Sequence, residues 1–508
     1  MRLADKVGQM LMAGFYGLEA PQHILDWLAE GKIGGVILFA RNAETPEQVA
    51  KLCKQLHDAA KYPILIGIDQ EGGAVTRLRE GFTESPGAMA LSATGDEIIA
   101  EKTSKILAEE MATVGINWTY APVVDITYNK DNPTVGVRSF GNDKETVSQF
   151  ASASVRGFQS GNVAACAKHF PGLGDTTIDT HLALATLDVP VEQVILNDLL
   201  PYRVGIDAGL ATIMTTHTVI SELDSEYPAT LSPVVVNKLL RDELGFEGVV
   251  TTDCMEMKAI ADNFGTGESA VLAMLAGVDI VLFSHTRELQ EAAYEAMIEA
   301  AESGRVPEDM IDAANARIAN LKEQFAADVG DISTLRSEEN LKTVNDAAEK
   351  AVVMIKNDGV IPLDTEKRIG LIEFAGSLDS IAVEAGGLTG LADEFKAHVP
   401  SAETIAMRVG TTDEDILEKA AQLAKDCDIL IVATRNAHMY DSEFELAKLW
   451  LESAEKSVLL AMRNPYDVIE LDADAVLATC GDAEPSLIAA VSAVLGKFKP
   501  SGKLPVAL

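Results

Sequence analysis

The sequence of residues 163–181 is VAACAKHFPGLGDTTIDTH. Its first five residues form a small apolar run, which predicts a strand that is buried on both faces. Lys168 and His169 follow that run, and a proline and two glycines then end regular structure and open a loop. A buried strand that ends in a cation and an imidazole is typical of a parallel α/β fold, because such folds gather polar side chains at the carboxyl ends of their strands.

The loop that follows carries three further titratable side chains, Asp175, Asp179 and His181. Asp179 and His181 are two residues apart, so in an extended segment both side chains point to the same side. A carboxylate beside an imidazole fixes the tautomer of the ring and tunes its pKa, which is the arrangement that a general acid/base needs. We therefore predict a catalytic loop, with a metal site and a solvated turn as the alternatives.

The alternation of apolar runs with helical patterns recurs through the first part of the chain. The runs lie at 10–15, 34–39, 64–69, 117–122, 163–167, 212–217, 248–253 and 279–283. Eight strands with intervening helices over roughly 320 residues predict a (β/α)₈ TIM-type barrel. A doubly wound open sheet is the alternative, but its glycine fingerprint after the first strand is absent.

Beyond the barrel, the sequence predicts a second domain. We predict a catalytic barrel over residues 1–325, a polar linker over 326–345 and an α/β domain of the αβα sandwich type over 346–508. The second domain is expected to begin with a helix near 346–356 and to contain strands at 369–374, 429–434, 458–462 and 475–479.

Polar side chains recur where the barrel strands end. Asp69 follows the third strand, Lys168 and His169 follow the fifth, and His217 and Asp253 stand at the sixth and seventh. In a barrel these strand ends converge on one face, where active sites are built. Residues spread over nearly 200 positions are therefore expected to meet in one pocket.

Two stretches supply further candidate ligand-binding residues. In DQEGGAVTR (residues 69–77), Asp69 can accept hydrogen bonds from two sugar hydroxyls, while Arg77 returns toward the site or pairs with an acid. The alternative for this stretch is a tight turn with a surface ion pair. In the loop 132–141, the five donors of Arg138 suit a polyhydroxylated or anionic ligand, with a purely structural arginine as the alternative.

Asp253 has two roles open to it, as N-cap of the next helix or as a catalytic nucleophile. Glu256 is a poorer candidate because we expect it in the first turn of that helix. His217 is left without an assigned role. His169 and His181 match no familiar zinc spacing and no HExxH is present, so neither a metal nor another cofactor is predicted.

Composition narrows the choice of partners. The 508 residues include 41 basic and 78 acidic side chains, giving a formal net charge of -37. Such a surface repels nucleic acid and anionic membranes, so neither is predicted as a partner, and the oligomeric state is not predicted.

The first ten residues predict an amphipathic helix, without the apolar core of a signal peptide. The five cysteines form no CxxC, which favours reduced core residues and a cytoplasmic protein; secretion is the alternative if a signal peptide has been removed.

Four motifs together resemble glycoside hydrolase family 3, specifically its NagZ-type β-N-acetylglucosaminidase branch. They are KHFPGLGD with DTH (168–175 and 179–181), DQEGG (69–73), RSF (138–140) and TD (252–253). The resemblance covers the whole predicted barrel in the same motif order. The second domain resembles the α/β sandwich that many family members carry, with GKLPV (502–506) similar to a common end of that module.

The resemblance implies a role for each candidate residue. It makes Asp253 the nucleophile and His181, paired with Asp179, the acid/base. It places five side chains around an N-acetylglucosamine ring: Asp69, Arg77, Arg138, Lys168 and His169. The chain departs from the family at Leu173, where His is usual, and at Thr180, where Ser is usual. Leu173 removes a polar group from the loop, which puts loop packing or leaving-group contacts in doubt.

The activity implied is that of an exo-acting, retaining β-N-acetylglucosaminidase. It would release non-reducing-end N-acetylglucosamine from peptidoglycan fragments or similar β-linked amino sugars through a glycosyl-enzyme on Asp253. One alternative is a phosphorylase of the same branch, since a neutral imidazole repels phosphate less than a carboxylate does. A β-glucosidase is disfavoured because the His181 dyad belongs to the N-acetylhexosamine branch. A non-catalytic sugar-binding protein is disfavoured by the intact Asp253, His181 and Asp179.

Overall fold

The computed structural model describes residues 1–176, 182–376 and 390–508. Within these ranges, each of the eight apolar runs of the predicted barrel contains or leads into a strand, and all eight strands are parallel. The strands are Leu11–Gly14, Gly35–Leu38, Leu65–Ile68, Trp118–Thr119, Cys166–Phe170, Thr212–Thr215, Val249–Cys254 and Ile280–Phe283. Their side chains are buried almost throughout, as a sheet covered by helices requires.

The sheet closes between its fourth and fifth strands. The ladder runs from the fourth strand back to the first, continues to the eighth and ends at the fifth. Isolated bridges then join Trp118 to Ala164 and Val123 to Lys168, and the Val124 amide donates to the Lys168 carbonyl over 2.8 Å. The predicted (β/α)₈ barrel is therefore confirmed.

Helices cover the outside of the barrel. They are Leu3–Gln9, Gln22–Glu30, Pro46–Ala59, Ala88–Ala93, Glu97–Thr113, Lys144–Ser160, Val191–Gln193, Leu200–Asp207, Lys258–Phe264, Thr266–Ala276, Arg287–Glu302 and Glu308–Gln324, with π-helical segments at Val194–Asp198 and Val234–Glu243. Several begin at a sequence signal for a helix start: the side chains of Thr45, Asp96 and Asp143 each accept a hydrogen bond from a backbone N–H in the first turn. A two-stranded ribbon, Ala185–Leu187 with Thr218–Ile220, lies apart from the barrel sheet.

The second domain is an αβα sandwich, as predicted. Its described strands lie in the spatial order Val353–Asn357, Ala475–Ala478, Ser457–Ala461, Ile429–Thr434, Ile369–Ala375 and Glu403–Arg408, and only the first is antiparallel to its neighbour. Separate apolar clusters pack on the two faces of this sheet. The helices are Glu338–Ala351, Leu391–His398, Glu414–Asp426, Asp441–Ser453 and Glu484–Val494.

The helix predicted near 346–356 was placed wrongly. It spans Glu338–Ala351, and Val353–Asn357 is a strand at the edge of the sheet. Ser337 is the sequence signal for the helix start that was missed, because its hydroxyl accepts a hydrogen bond from the backbone N–H of Asn340 over 3.2 Å. The predicted linker 326–345 therefore contains helical residues, and the domain boundaries themselves stay a prediction.

Arg336, in the segment between the two domains, forms hydrogen bonds with residues of both domains. Arg336 donates from Nη2 to both carboxylate oxygens of Glu484 at 2.8 Å, and from Nη1 to the Phe82 carbonyl at 3.0 Å. Its backbone N–H donates to Glu110, a buried carboxylate that also accepts hydrogen bonds from Thr83. These bonds fix where the second domain leaves the barrel.

The structure also shows how long and apolar the described helices are and whether the cysteines are bonded. No described helix is long and apolar enough to cross a membrane. All five cysteines are free, and all except Cys254 are buried.

The end of the barrel opposite the cavity contains a buried lysine that forms no ion pair with an acid among the described residues. Lys322, in the last turn of Glu308–Gln324, is 7% exposed and donates from Nζ to Oε1 of Gln9 over 2.7 Å. Burial lowers the pKa of Lys322 to about 7. Because the unfolded chain holds this proton up to a pH of about 10.4, the unfolded state binds more protons between these values. Stability should therefore rise with pH across this range.

We expect Lys322→Met to raise the free energy of unfolding by about 1–2 kcal/mol at pH 6, since it removes a buried charge at the cost of one hydrogen bond to Gln9. The variant should also lose the rise in stability between pH 7 and 10. Urea unfolding at several pH values measures both effects. Lys105→Met, on an exposed helix face, is the control and should change neither. A less stable Lys322→Met protein would contradict the account.

Candidate active site

The carboxyl ends of the barrel strands surround a cavity of about 450 Å³. Its lining includes six of the eight residues selected from the sequence: Asp69, Arg77, Arg138, Lys168, His169 and Asp253. The other two, Asp179 and His181, lie outside the described residues. Residues from four separate strand ends and loops thus meet at one place, as the barrel topology requires. Their individual roles remain predictions.

Asp253 belongs to the seventh strand rather than to a helix start. The strand continues through Cys254, and the following helix begins only at Lys258, so the N-cap alternative is wrong. The backbone N–H of Cys254 donates to Oδ1 of Asp253 over 2.6 Å, which orients the carboxylate from its own strand. Asp253 is partly exposed and faces the cavity.

Glu256 and His217 have structural partners that explain their presence. Glu256 precedes the helix, contrary to the expectation that it lies in the first turn, and its carboxylate accepts the backbone N–H groups of His285 and Thr286. His217 is fully buried, with Nδ1 2.8 Å from the Thr230 hydroxyl and Nε2 3.0 Å from the Cys254 carbonyl. His217 therefore braces the strand that carries Asp253.

A buried network of charges forms one wall of the cavity. Lys168 Nζ lies 2.7 Å from Oδ1 of Asp69 and 2.7 Å from Oε1 of Glu71. Arg138 binds Glu71 through two hydrogen bonds, of 2.9 Å from Nε and 2.8 Å from Nη2. Glu71, Lys168 and Arg138 have side chains that are 6%, 3% and 5% exposed, so these charges interact with little screening by water. Glu71 was not among the residues selected from the sequence.

The charges in this network hold each other ionised. Burial alone would raise the pKa of the Glu71 carboxyl, but Arg138 and Lys168 hold that pKa well below its usual value. Burial would likewise lower the pKa of Lys168, but Asp69 and Glu71 raise it above the usual value. A pair of cations bridged by a pair of carboxylates thus presents fixed donors and acceptors to the cavity, which suits a ligand with many hydroxyl groups.

His169 is oriented by Asp125, a second residue that sequence reasoning missed. Nδ1 of His169 lies 2.7 Å from Oδ2 of Asp125, whose side chain is fully buried. The Asp125 carboxylate also accepts the backbone N–H groups of His169 and Leu173. Because an ionised carboxylate only accepts hydrogen bonds, we assign a proton to Nδ1 of His169.

The loop with Arg77 turns back on itself beside Asp69. The carboxamide oxygen of Gln70 accepts the backbone N–H groups of Arg77 and Leu78, at 2.9 and 3.0 Å, and so folds the loop. Gly73 has a φ of +64°, and a Cβ there would lie 2.7 Å from Cα of Gly87. Arg77 Nη2 is thereby held 3.7 Å from Oδ2 of Asp69. The alternative of a surface ion pair is wrong, because Arg77 is buried.

Leu173 fills a small apolar site. It packs with Val123 and Val135 and is 2% exposed. Its N–H donates to Asp125 and its carbonyl accepts from Asn132, at 2.8 and 3.0 Å. The doubt that Leu173 raised about loop packing is therefore resolved for the described part of the loop.

Aromatic side chains at the rim were not anticipated from the sequence. The Arg41 guanidinium lies 4.4 Å from the ring centroid of Tyr16 and 4.1 Å from that of Phe39, and His285 stands beside both rings. Tyr16 is 67% exposed. Its position after the first strand was the available signal, since loops after barrel strands face the site.

Among the described residues, no group of three or more His, Cys, Asp or Glu side chains is arranged to hold a metal ion. The fold and the cavity define the class of protein: a (β/α)₈ barrel enzyme whose site offers a strand-end carboxylate beside fixed donors and acceptors for a polyhydroxylated ligand. Comparison with known proteins specifies the family.

The model of the Glycosyl hydrolase family 3 N terminal domain matches residues 2–321, and that of the C-terminal domain matches residues 352–508. The chain therefore belongs to glycosyl hydrolase family 3 and is a glycoside hydrolase. A solved glycoside hydrolase family 3 beta-N-acetylglucosaminidase from Paenibacillus sp. str. FPU-7 is 36% identical, with a TM-score of 0.95 over 100% of this chain and 99% of that one.

Curated relatives are similar to this chain over different lengths. Beta-hexosaminidase A of Pseudoalteromonas piscicida is 28% identical over 96% of this chain and 91% of its own length. A beta-hexosaminidase of Thiobacillus denitrificans is 38% identical over 52% of this chain and 75% of its own length. The resemblance found in the four motifs is thus confirmed at the level of the family.

Proposed function

We propose that this glycoside hydrolase is an exo-acting, retaining β-N-acetylglucosaminidase that releases N-acetylglucosamine from the non-reducing end of peptidoglycan fragments or similar small carbohydrates. Asp253 is the nucleophile in this proposal, and His181, paired with Asp179, is the acid/base. The observation that carries the proposal is that the Asp253 carboxylate faces the same cavity as Asp69 and the buried Lys168 and Arg138.

The cavity favours action at a chain end. Its volume of about 450 Å³ is sufficient for one amino-sugar ring, and the buried charges form its wall. The Asp69 carboxylate accepts hydrogen bonds from sugar hydroxyls, while Lys168 and Arg138 donate to them. A terminal ring bound against this wall brings its anomeric carbon toward Asp253.

The chemistry follows from these assignments in two displacements. Asp253 attacks the anomeric carbon, the bond to the leaving oxygen breaks, and the imidazolium of His181 gives its proton to that oxygen. In the second step His181 takes a proton from water, the water oxygen bonds to the anomeric carbon, and the Asp253 carboxylate is released. Two inversions leave the β-configuration unchanged.

The names of the relatives support the amino-sugar substrate. The Paenibacillus protein is described as a beta-N-acetylglucosaminidase, and both curated relatives are described as beta-hexosaminidases. Because the similarities to the Paenibacillus and Pseudoalteromonas proteins extend over nearly the whole chain, they include both the cavity and the second domain.

The test is turnover of an aryl β-N-acetylglucosaminide beside the matching β-glucoside, with and without phosphate. We expect rapid release from the N-acetyl substrate and retention of the β-configuration in the free sugar. Preference for the glucoside would replace the proposal with a β-glucosidase, and sugar-1-phosphate would replace it with a phosphorylase. No release from either substrate would reject catalysis and favour a sugar-binding protein.

For the acid/base role, we expect His181→Ala to lower kcat/KM about 10²-fold or more on a disaccharide, where the leaving oxygen needs a proton. On a dinitrophenyl N-acetylglucosaminide, whose leaving group departs unprotonated, kcat/KM should fall less than about tenfold. The ratio kcat/KM reports only the steps up to formation of the glycosyl-enzyme. It therefore measures protonation of the leaving group and not the later activation of water. Equal losses on both substrates would refute the acid role.

A further inference from the structure

The carboxyl edge of the second sheet faces the loops of the barrel. In doubly wound sheets this edge, at the point where the strand order reverses, is the usual place for a ligand. Here the segments that follow the strands Ile429–Thr434 and Ser457–Ala461 contact the barrel loop of residues 129–138, which we call the Arg138 loop. The second domain thus touches a segment that contributes directly to the candidate active site.

Among the described residues, contacts at Lys130, Gly136 and Val137 join the Arg138 loop to the second domain. Nε2 of His438 lies 3.2 Å from the carbonyl oxygen of Lys130. Asn464 covers Gly136, where an added Cβ would lie 2.9 Å from both polar atoms of its carboxamide. Val137 packs against an apolar cluster that includes Tyr466. The loop is therefore held near both of its ends.

His438 is itself rigidly held by Asp467. Oδ1 of this fully buried carboxylate accepts Nδ1 and the backbone N–H of His438, at 2.7 and 2.8 Å. Oδ2 accepts the Thr434 hydroxyl at 2.6 Å and the Ala437 N–H at 3.1 Å. With its carboxylate satisfied by four donors, Asp467 fixes the ring with Nε2 directed at the barrel.

Nε2 of His438 is the donor of the hydrogen bond between the domains, because the Lys130 carbonyl only accepts. The second domain thus supplies a donor whose position is set by Asp467.

The Arg138 loop connects this contact with the charge network of the cavity. In its middle, the Asn132 carboxamide donates to the carbonyls of Leu173 and Gly174, at 3.0 and 3.2 Å, and so ties it to the loop after the fifth strand. At its end, Arg138 binds Glu71 through two hydrogen bonds. A shift at Lys130 is therefore expected to move a segment that is bonded to the loop after the fifth strand and that carries Arg138 into the cavity wall.

We propose that His438 is a positioning residue, through which the second domain holds the Arg138 loop in the geometry that binds the sugar ring. The inference rests on the proposed function, because it takes Arg138 as a ligand of the sugar. It gives the second domain a role in the site: Asp467 and His438 act on the substrate through the barrel loop without touching the substrate.

The test compares His438→Ala and His438→Gln with wild type, using an aryl β-N-acetylglucosaminide. We expect His438→Ala to raise KM about three- to tenfold, the loss of one hydrogen bond of ordinary strength, with a smaller change in kcat. His438→Gln should recover most of this loss, since its amide N–H can still donate to the Lys130 carbonyl. His398→Ala, on a distant helix of the same domain, is the matched control and should leave KM unchanged.

A second variant keeps the test decisive if the alanine variant does not fold. His438→Phe retains a ring beside Tyr466 but cannot donate to the Lys130 carbonyl, so it should raise KM as His438→Ala does. An unchanged KM in folded His438→Ala or His438→Phe protein, or no recovery in His438→Gln, would overturn the inference. Absent turnover by wild type would instead reject the proposed function, and calorimetric binding of N-acetylglucosamine would then decide whether His438 positions the loop.

Discussion

Asp253→Ala is expected to lower turnover of an aryl β-N-acetylglucosaminide by about 10⁴-fold or more, the order of loss when the group that forms the covalent bond is removed. The fold should survive, because the Asp253 side chain is partly exposed and faces the cavity. Binding of N-acetylglucosamine should persist, since Asp69 and the buried Lys168 remain in place. Initial rates, circular dichroism and calorimetry measure the three outcomes.

Chemical rescue separates a nucleophile from a residue that only supports the site. Added azide can attack the anomeric carbon from the side that the missing carboxylate leaves open, displacing the aryl group in one step. The product should be the α-glycosyl azide, because a single displacement inverts the configuration. Glu256→Gln is the comparison, since that carboxylate also lines the cavity but accepts backbone N–H groups, and its loss should be far smaller. A larger loss there, or β-azide from Asp253→Ala, would contradict the assignment.

The barrel could be predicted from the sequence because its strands are short, apolar and separated by helical patterns. Each run that was expected in the first domain contains or leads into a strand. The ends of the strands were predicted less accurately than their presence. The fifth strand runs through Lys168 and His169 to Phe170, further than predicted, and Pro171 follows its end. The edge strand Val353–Asn357 was missed because its apolar residues were included in the helix predicted near 346–356, and Glu403–Arg408 was missed because most of its side chains are partly or fully exposed.

The candidate site could be predicted where a residue stands at a strand end or, as with Arg77 and Arg138, in a motif-bearing loop that follows one. Asp69, Lys168, His169 and Asp253 were found by that rule, whereas Asp125 lies in an irregular segment after the short fourth strand. A sequence does not show which acid will be buried beside which cation, so the pairing of Glu71 with Arg138 had no signal. The contact of His438 with Lys130 spans 308 residues and depends on how two domains pack, which no local pattern encodes.

Glu71→Gln is expected to lower the free energy of unfolding by about 3–5 kcal/mol, because it leaves the buried charges of Arg138 and Lys168 with Asp69 as the remaining carboxylate of the network. Turnover should fall as well, since both cations lose the anchor that orients them. Denaturant unfolding and KM measurements test the two effects. Glu84→Gln, which breaks the more exposed pair with Arg79, is the control and should cost less than about 1 kcal/mol.

The pH dependence of stability gives an independent test of the same network. The pKa of Glu71 is held well below its usual value in the folded protein, so the unfolded chain takes up a proton first as the pH falls. The contribution of the ionised Glu71 carboxylate to the free energy of unfolding is complete above the pKa of the unfolded chain, about 4.3, and is lost progressively below it. Glu71→Gln should therefore show a shallower loss of stability below about pH 5 than wild type. An equally steep loss in the variant would mean that other carboxylates govern acid unfolding.

A double variant that removes one cation together with one carboxylate separates the effect of the network on stability from its effect on ligand binding. Adding Arg138→Gln to Glu71→Gln removes one cation along with its partner and leaves Lys168 paired with Asp69. The double variant should be less destabilised than the sum of the single variants, because the uncompensated charge is gone. Its affinity for N-acetylglucosamine should nevertheless stay low, since the donors of Arg138 are absent. Stability and binding would then respond differently to the same pair of residues, as expected if Glu71 serves to hold Arg138 ionised and aimed at the sugar.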